Sequence, residues 1–143
     1  MKKTIFTFIL LPFLCISQNI KCDEFINGKF IMTSEMFPGV EIALERDGNI
    51  QIEKQINSIN SDDIPKLGII YEKVEWLSNC KYKLTFDLTR GDVTEVAKDI
   101  NDNGGIITTI STIENNCYTY DSIFIINDKV QKITGKICKD QFN

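Results

Sequence analysis

The 143-residue sequence contains no histidine. Histidine is the side chain that most often serves as a general base near neutral pH, and it is the commonest metal ligand. Its absence therefore excludes Ser-His-Asp and Cys-His catalysis, histidine general bases, and most zinc and copper sites. Together with the lack of any other catalytic constellation, this predicts that the chain is not an enzyme and carries no cofactor.

Long apolar runs are also missing, except at the start of the chain. Lys2 and Lys3 precede an apolar stretch over residues 5–16, and small residues stand just before Gln18. This pattern is typical of a cleaved secretory signal and resembles the signal peptides of Gram-negative bacteria. The stretch is shorter than the roughly 20 residues that a membrane span needs. We predict a signal peptide at residues 1–17 and a secreted or periplasmic protein without a stable span. Lipidation of Cys15 and an uncleaved anchor are the alternatives.

A basic cluster is missing as well. The chain has 16 basic and 20 acidic residues, and cleavage would remove two lysines, which leaves 14 basic residues and a net charge near −6. A nucleic-acid-binding protein needs a basic face that neutralises phosphates. Nucleic acid is therefore not an expected partner, and the sequence identifies no protein partner.

Four cysteines remain after cleavage, at positions 22, 80, 117 and 138. An even number in an oxidising compartment indicates disulfides, whereas a four-thiolate metal site usually has closely spaced pairs. The two residues Asn127-Asp128 suit a tight turn between two strands, and this register places Cys117 directly opposite Cys138. We therefore favour the pairs Cys117–Cys138 and Cys22–Cys80 among the three possible pairings.

Alternating apolar and polar residues predict eight strands in residues 18–143, which we interpret as one domain. The strands are predicted at Gly28–Thr33, Val40–Glu45, Asn49–Lys54, Leu67–Trp76, Lys81–Leu88, Ile106–Ile113, Tyr118–Ile126 and Lys129–Ile137. One short helix, Asp92–Asp102, is predicted between strands five and six, with Asp92 as its cap and an apolar stripe of Val93, Val96, Ala97 and Ile100. Short links favour an all-β, antiparallel, up-and-down meander with the four cysteines at one end.

Three connections in this meander carry specific expectations. Residues 36–39 and 56–66 are predicted as a turn and a long loop. Arg46-Asp47-Gly48 is predicted as a three-residue loop with Gly48 in the left-handed region. This longer loop places Leu44 opposite Ile50, and we prefer it because it keeps apolar side chains on the same face.

The segment Phe25-x-x-Gly28-Lys29-Phe30 resembles the motif that opens the lipocalin barrel, where a Gly-x-Trp stands; Phe30 here replaces the tryptophan. The mature length and strand order are similar to the calycin superfamily, which includes fatty-acid-binding proteins. The same segment, Cys22 and the later run Val74-x-Trp76-x-x-x-Cys80-x-Tyr82 also resemble a group of small exported bacterial proteins of unknown function. The lipocalin resemblance implies a closed barrel that holds a small apolar ligand and supplies no catalytic residue.

Small eight-stranded barrels either fill with side chains or enclose one ligand, and both alternatives stay open here. The candidate ligand-binding residues are aromatic and share the predicted inner face: Phe30, Trp76, Tyr82, Phe86, Tyr118, Tyr120 and Phe124. Our leading hypothesis is a barrel that binds a small apolar or amphipathic ligand. The alternative is a structural or protein-interaction module with a filled barrel.

Two weaker patterns involve acidic residues. The segment Asp99-x-Asn101-x-Asn103-Gly104 matches the first half of an EF-hand loop, but Ile110 stands where the bidentate glutamate should be. We interpret it as an ordinary helix end and predict no metal site. Carboxylates in the strands fall mostly at outward positions, with Asp121 the least ordinary, so no hydrolytic pair is predicted.

Overall fold

The protein is described by a computed structural model that covers residues 21–58 and 68–141. The predicted signal peptide lies outside these residues. A 3-10 turn (Cys22–Phe25) leads into the strands β1 (Gly28–Ser34), β2 (Phe37–Asp47), β3 (Ile50–Ser58), β4 (Ile69–Ser78) and β5 (Lys81–Phe86). The helix α1 (Glu95–Asp102) follows, and then the strands β6 (Ile106–Glu114), β7 (Cys117–Ile126) and β8 (Lys129–Lys139). No helix within the described ranges is both long and apolar enough to cross a membrane.

The eight strands form one closed barrel in sequence order. Every strand pairs antiparallel with the next, and β1 also pairs with β8 through contacts such as Met32 opposite Ile137. Closure leaves no exposed sheet edge, which removes the usual route to edge-to-edge aggregation. The predicted all-β meander, with its helix between the fifth and sixth strands, is confirmed.

Two disulfides join elements at one end of the barrel, which we call the disulfide end. Cys22 is bonded to Cys80, and Cys117 to Cys138, as the sequence predicted. The β7–β8 register is also as predicted, because Asn127 and Asp128 both adopt positive φ, at 50° and 59°, and form a two-residue turn. Paired positive φ values match the right-handed twist of a hairpin. The opposite end, which includes α1 and this turn, is called the helix end.

Several predicted boundaries differ from the structure. The helix begins at Glu95 rather than near Asp92, because the Thr94 hydroxyl accepts a hydrogen bond from the Ala97 backbone N–H at 3.1 Å. Val93 and Val96 are about half exposed, so the buried stripe consists of Ala97 and Ile100 alone.

Two other predicted connections have different bounds in the structure. The turn between β1 and β2 lies at residues 35–36, so Phe37 and the Pro-Gly pair after it begin β2. The predicted loop over 56–66 starts later, because β3 continues to Ser58; residues 59–67 lie outside the described residues. The apolar–polar alternation of β3 weakens before its end, but the strand continues because its backbone still pairs with β2.

The predicted three-residue loop between β2 and β3 is wrong. Asp47 pairs with Ile50 around a two-residue turn in which Gly48 has a φ of +60°, so Arg46 lies opposite Gln51 and Leu44 opposite Glu53. The shorter turn reverses the two faces of β3. Gln51 and Glu53 therefore face the barrel interior, while Ile50 and Ile52 face outward.

Candidate functional site

Arg46 lies on the inner face of β2 near the disulfide end and is only 2% exposed. Its Nε donates to Gln51 Oε1 at 2.6 Å, its Nη1 to the Phe25 carbonyl at 3.1 Å, and its Nη2 to the Tyr82 hydroxyl at 2.7 Å. Burial lowers the pKa of Arg46, but the Tyr82 and Tyr118 hydroxyls outweigh that effect, so its pKa lies above the ordinary value. The side chain is a paired, permanently charged group that connects three elements of the fold.

Aromatic rings surround this guanidinium. Its carbon lies 4.5 Å from the ring centroid of Tyr82, 5.7 Å from that of Phe30 and 6.0 Å from that of Trp76. Cation–π attraction of this kind contributes about 2 kcal/mol or more when the cation is desolvated. Among the described residues, Trp76 Nε1 is the one buried side-chain nitrogen or oxygen without a hydrogen-bond partner. Packing against Arg46 and Tyr82, rather than a hydrogen bond, therefore positions the indole.

Gln51 joins Arg46 to two carboxyl groups in the barrel interior. Its Nε2 donates to Glu53 Oε1 and to Glu72 Oε2, both at 2.7 Å, while its Oε1 accepts from Arg46. Burial, followed by the charge of Glu53, raises the pKa of Glu72 well above its ordinary value, and burial also raises the pKa of Glu53. Both carboxyl groups accept from the same Gln51 nitrogen, and their like charges in a desolvated site favour protonation of one of them. One negative charge on the pair would balance the positive charge of Arg46.

Hydroxyl groups extend the interior network across the barrel. The Tyr82 and Tyr118 oxygens lie 3.3 Å apart, and the Thr108 and Ser122 oxygens lie 2.7 Å apart. Burial raises the pKa of Tyr118 well above its ordinary value and also raises that of Tyr120. These phenols therefore stay neutral near physiological pH and can act as hydrogen-bond donors.

Burial of the inner face changes along the barrel axis. Near the disulfide end, Phe25, Phe30, Tyr82, Tyr118 and Ile137 are each 1% exposed. Towards the helix end burial is mixed: Val40 and Phe124 are 2% and 7% exposed. Several other apolar side chains at inward positions are only partly buried there: Met32, Ile42, Ile70, Phe86, Ile106 and Ile133. Glu53 is partly buried as well, whereas Glu72 is 3% exposed. The carboxyl pair thus lies between the half nearer the disulfide end, where most inward side chains are buried, and the half nearer the helix end, where about as many are partly exposed as buried.

The structure brings together the aromatic residues that the sequence nominated. Five of them are buried at 7% exposure or less, namely Phe30, Tyr82, Tyr118, Tyr120 and Phe124. Trp76 and Phe86 are partly buried. All seven occupy inward positions of their strands, as the strand pairing requires. Their contact with a ligand stays a prediction.

Sequence reasoning missed the polar members of the interior: Arg46, Gln51, Glu53 and Glu72. The expectation that strand carboxylates point outward is wrong for the two glutamates, and Arg46 is a strand residue rather than a loop residue. A signal was available in the clean alternation of Ile50, Gln51, Ile52 and Glu53. Alternation shows that a strand has two different faces, but it does not show which of them is buried.

The EF-hand-like segment uses its polar atoms to hold the fold together. Asp99 Oδ2 accepts from the Asn127 backbone N–H at 2.8 Å, and the Asn101 side chain exchanges two hydrogen bonds of 2.9 Å with the Phe86 backbone. Asn103 Nδ2 donates to the Asp99 carbonyl and carboxyl oxygens. Within residues 21–58 and 68–141, no cluster of three or more cysteine, aspartate or glutamate residues is suited to hold a metal ion. Asp121, the strand carboxylate that the sequence analysis singled out, forms an ion pair with Lys132 at 3.0 Å.

Two grooves lie on the outer surface of the barrel. One, of about 550 Å3, crosses the strands β6, β7, β8 and β1 and is lined mainly by hydroxyl and charged side chains such as Thr33, Ser111, Thr119 and Lys136. The other, of about 270 Å3, crosses β1 to β4 and has an apolar floor that includes Ile52, Ile69 and Tyr71. The second groove lies over the outward face of β3.

Comparisons of the chain with models of protein families, with curated proteins and with solved structures found no match. The closed eight-stranded antiparallel barrel is compatible with a lipocalin-like fold.

Proposed function

We propose that this protein is exported and that its barrel binds a small amphipathic ligand in the half nearer the helix end. The observation that carries this proposal is the change in burial along the inner face. Small-molecule sites are concave and mostly apolar, with a few converging polar groups. The partly buried apolar side chains around Met32 and Phe86, with the carboxyl pair below them, have this composition.

The polarity of the interior favours a ligand whose polar group is neutral or positively charged. All three nitrogens of Arg46 already donate to groups of the protein, so a ligand carboxylate would compete for an occupied cation. Glu53 and Glu72 instead offer carboxyl oxygens at the boundary of the half nearer the helix end. An amine or hydroxyl group would find acceptors there, whereas an anion would meet like charge.

Export and binding without catalysis are parts of the same proposal. The two disulfides suit an oxidising compartment such as the periplasm or the exterior of the cell. The interior groups that could move a proton are held in hydrogen bonds to Gln51, and no activated nucleophile lies beside them in the described part of the chain. Binding is therefore the activity that we assign.

A filled barrel that serves as a structural or interaction module is the second candidate. It is favoured by the half nearer the disulfide end, where aromatic packing and the Arg46 network fill the interior. It is also favoured by the position of the two grooves on the outer surface. The two candidates differ in whether the half nearer the helix end accepts a molecule.

A titration of the delipidated, disulfide-bonded chain with a neutral naphthalene fluorophore tests the proposal. Saturable binding is expected for the natural protein and a large loss of affinity for Met32→Trp, which fills the half nearer the helix end. Ile31→Trp is the matched control, because the neighbouring residue occupies an outward position on β1. Binding should survive in this control.

Competition by two amphiphiles of equal chain length tests the polarity of the site. A primary alkyl amine should displace the fluorophore at lower concentration than a fatty acid. No saturable binding would favour the filled barrel. Equal loss in both tryptophan variants would place the fluorophore elsewhere, and stronger displacement by the fatty acid would contradict the assigned polarity.

A further inference from the structure

The outward face of β3 is unusually apolar. Ile50 and Ile52 occupy outward positions, and Ile50 is 36% exposed. A strand of an antiparallel barrel normally presents apolar residues to the core and polar residues to water. On β3 this order is reversed, because Gln51 and Glu53 are needed inside for the network around Arg46.

Neighbouring strands add apolar side chains to this face, interrupted by Lys54 and by Lys73 opposite Ile50, and the Arg90 guanidinium carbon lies 4.7 Å from the Tyr71 ring centroid. Tyr71 lies opposite Ile52 on β4, and Ile69, which is 40% exposed, lies opposite Lys54. Ala43 lies on the other side of Lys54, on β2. We call Ala43, Ile50, Ile52, Ile69 and Tyr71 the isoleucine face. Exposed clusters of apolar side chains are characteristic of protein–protein contacts.

Charges of both signs lie among the residues of the isoleucine face, and neither has a partner within residues 21–58 and 68–141. Glu45 pairs with Ile52 across β2 and β3, and Lys54 follows Ile52 two positions along β3. None of the ion pairs or side-chain hydrogen bonds among the described residues involves Glu45 or Lys54. Two copies can face each other across this surface, related by a two-fold axis that lies in the plane of the interface and passes between Glu45 and Lys54. This rotation brings Glu45 of each copy opposite Lys54 of the other. The surface is therefore self-complementary, as a symmetric dimer contact requires.

We propose that a second copy of this chain docks on the isoleucine face, with Glu45 of each copy paired to Lys54 of the other. The groove of about 270 Å3 over this face receives apolar side chains of the partner copy. The dimer would form by association of the outer surfaces and leave the barrel interiors separate.

Sedimentation equilibrium of the disulfide-bonded mature chain tests this proposal. A concentration-dependent monomer–dimer equilibrium is expected. Glu45→Lys and Lys54→Glu should each raise the dimer dissociation constant by about tenfold or more, because each places like charges opposite one another. The double variant restores opposite charges in exchanged positions, so its dissociation constant should return to within about threefold of the natural value.

Two further variants separate the isoleucine face from other exposed apolar positions. Ile52→Glu should abolish the dimer, whereas Val130→Glu should leave it unchanged, although Val130 is 69% exposed on β8. Circular dichroism confirms that each variant is folded. A natural chain that stays monomeric at every concentration, a double variant without rescue, or dimer loss only in Val130→Glu would each overturn the proposal.

Discussion

Replacement of Arg46 by methionine is the sharpest perturbation of the barrel interior. Methionine is flexible enough to fill much of the same space, but it has neither the charge nor the donors. The substitution leaves the Phe25 carbonyl and Gln51 Oε1 without their donor, while Tyr82 keeps its neighbour Tyr118. It also leaves the negative charge of the carboxyl pair unbalanced.

The size of the effect follows from these contacts. Each orphaned buried acceptor costs about 1–3 kcal/mol, and breaking a buried charge pair by removing one partner costs about 3–5 kcal/mol. These contributions overlap, so we expect Arg46→Met to lower the free energy of unfolding by about 3–5 kcal/mol. The loss should be larger at pH 8 than at pH 5, because protonation of the remaining carboxyl pair removes its unbalanced charge at lower pH.

Urea unfolding of the disulfide-bonded chain measures this loss. Arg90→Met is the matched control, because Arg90 is the only other arginine and its side chain is 45% exposed in an ion pair with Asp87. An exposed pair contributes about 1 kcal/mol or less. A loss for Arg46→Met no larger than that for Arg90→Met would refute the assignment of Arg46 as the centre of the interior network.

Three further predictions concern other parts of the barrel. The pKa of Glu72 in the folded protein lies above its ordinary value of 4.5, so the folded state keeps a proton that the unfolded chain releases. Unfolding at a series of pH values should show stability falling by about 1.4 kcal/mol per pH unit from 4.5 up to the folded pKa, and Glu72→Gln should remove this slope. Loss of the Cys22–Cys80 disulfide, which spans 58 residues, should cost about 4 kcal/mol in chain entropy, measured by unfolding of the double alanine variant. Gly135→Ala would place a Cβ 2.5 Å from the Tyr120 hydroxyl oxygen, so thermal unfolding should report a loss of about 1–3 kcal/mol; unchanged stability would contradict this packing.

The disulfide framework and the strand order could be predicted because local chemistry determines them. Asn127 and Asp128 adopt positive φ readily, and their two-residue turn fixes the register that places Cys117 opposite Cys138. Alternation along strands such as β5 reveals both faces, since Tyr82 and Leu84 are buried. In these elements, local preference and core packing lead to the same structure.

The interior network could not be predicted by the same rules. The sequence favours a register between β2 and β3 that keeps Ile50 and Ile52 in the core, but the barrel instead encloses Gln51 and Glu53. Burial of these polar side chains is tolerated because Arg46 donates to Gln51, and Gln51 in turn donates to Glu53. This compensation depends on contacts between strands. A rule that assigns apolar residues to the core one strand at a time does not include such contacts, so it does not predict which polar residues are buried.

Native mass spectrometry of the protein purified without delipidation tests the central claim, that the barrel holds a small amphipathic ligand, most directly. The account predicts a species heavier than the chain with its two disulfides, which loses a single small molecule on activation or delipidation. It also predicts that Met32→Trp purifies without this added mass, whereas Ile31→Trp retains it. A known protein–ligand complex, measured under the same conditions, serves as the control. If that complex survives while the natural protein shows only the mass of the bare chain, the result would contradict the claim and favour a barrel filled by its own side chains.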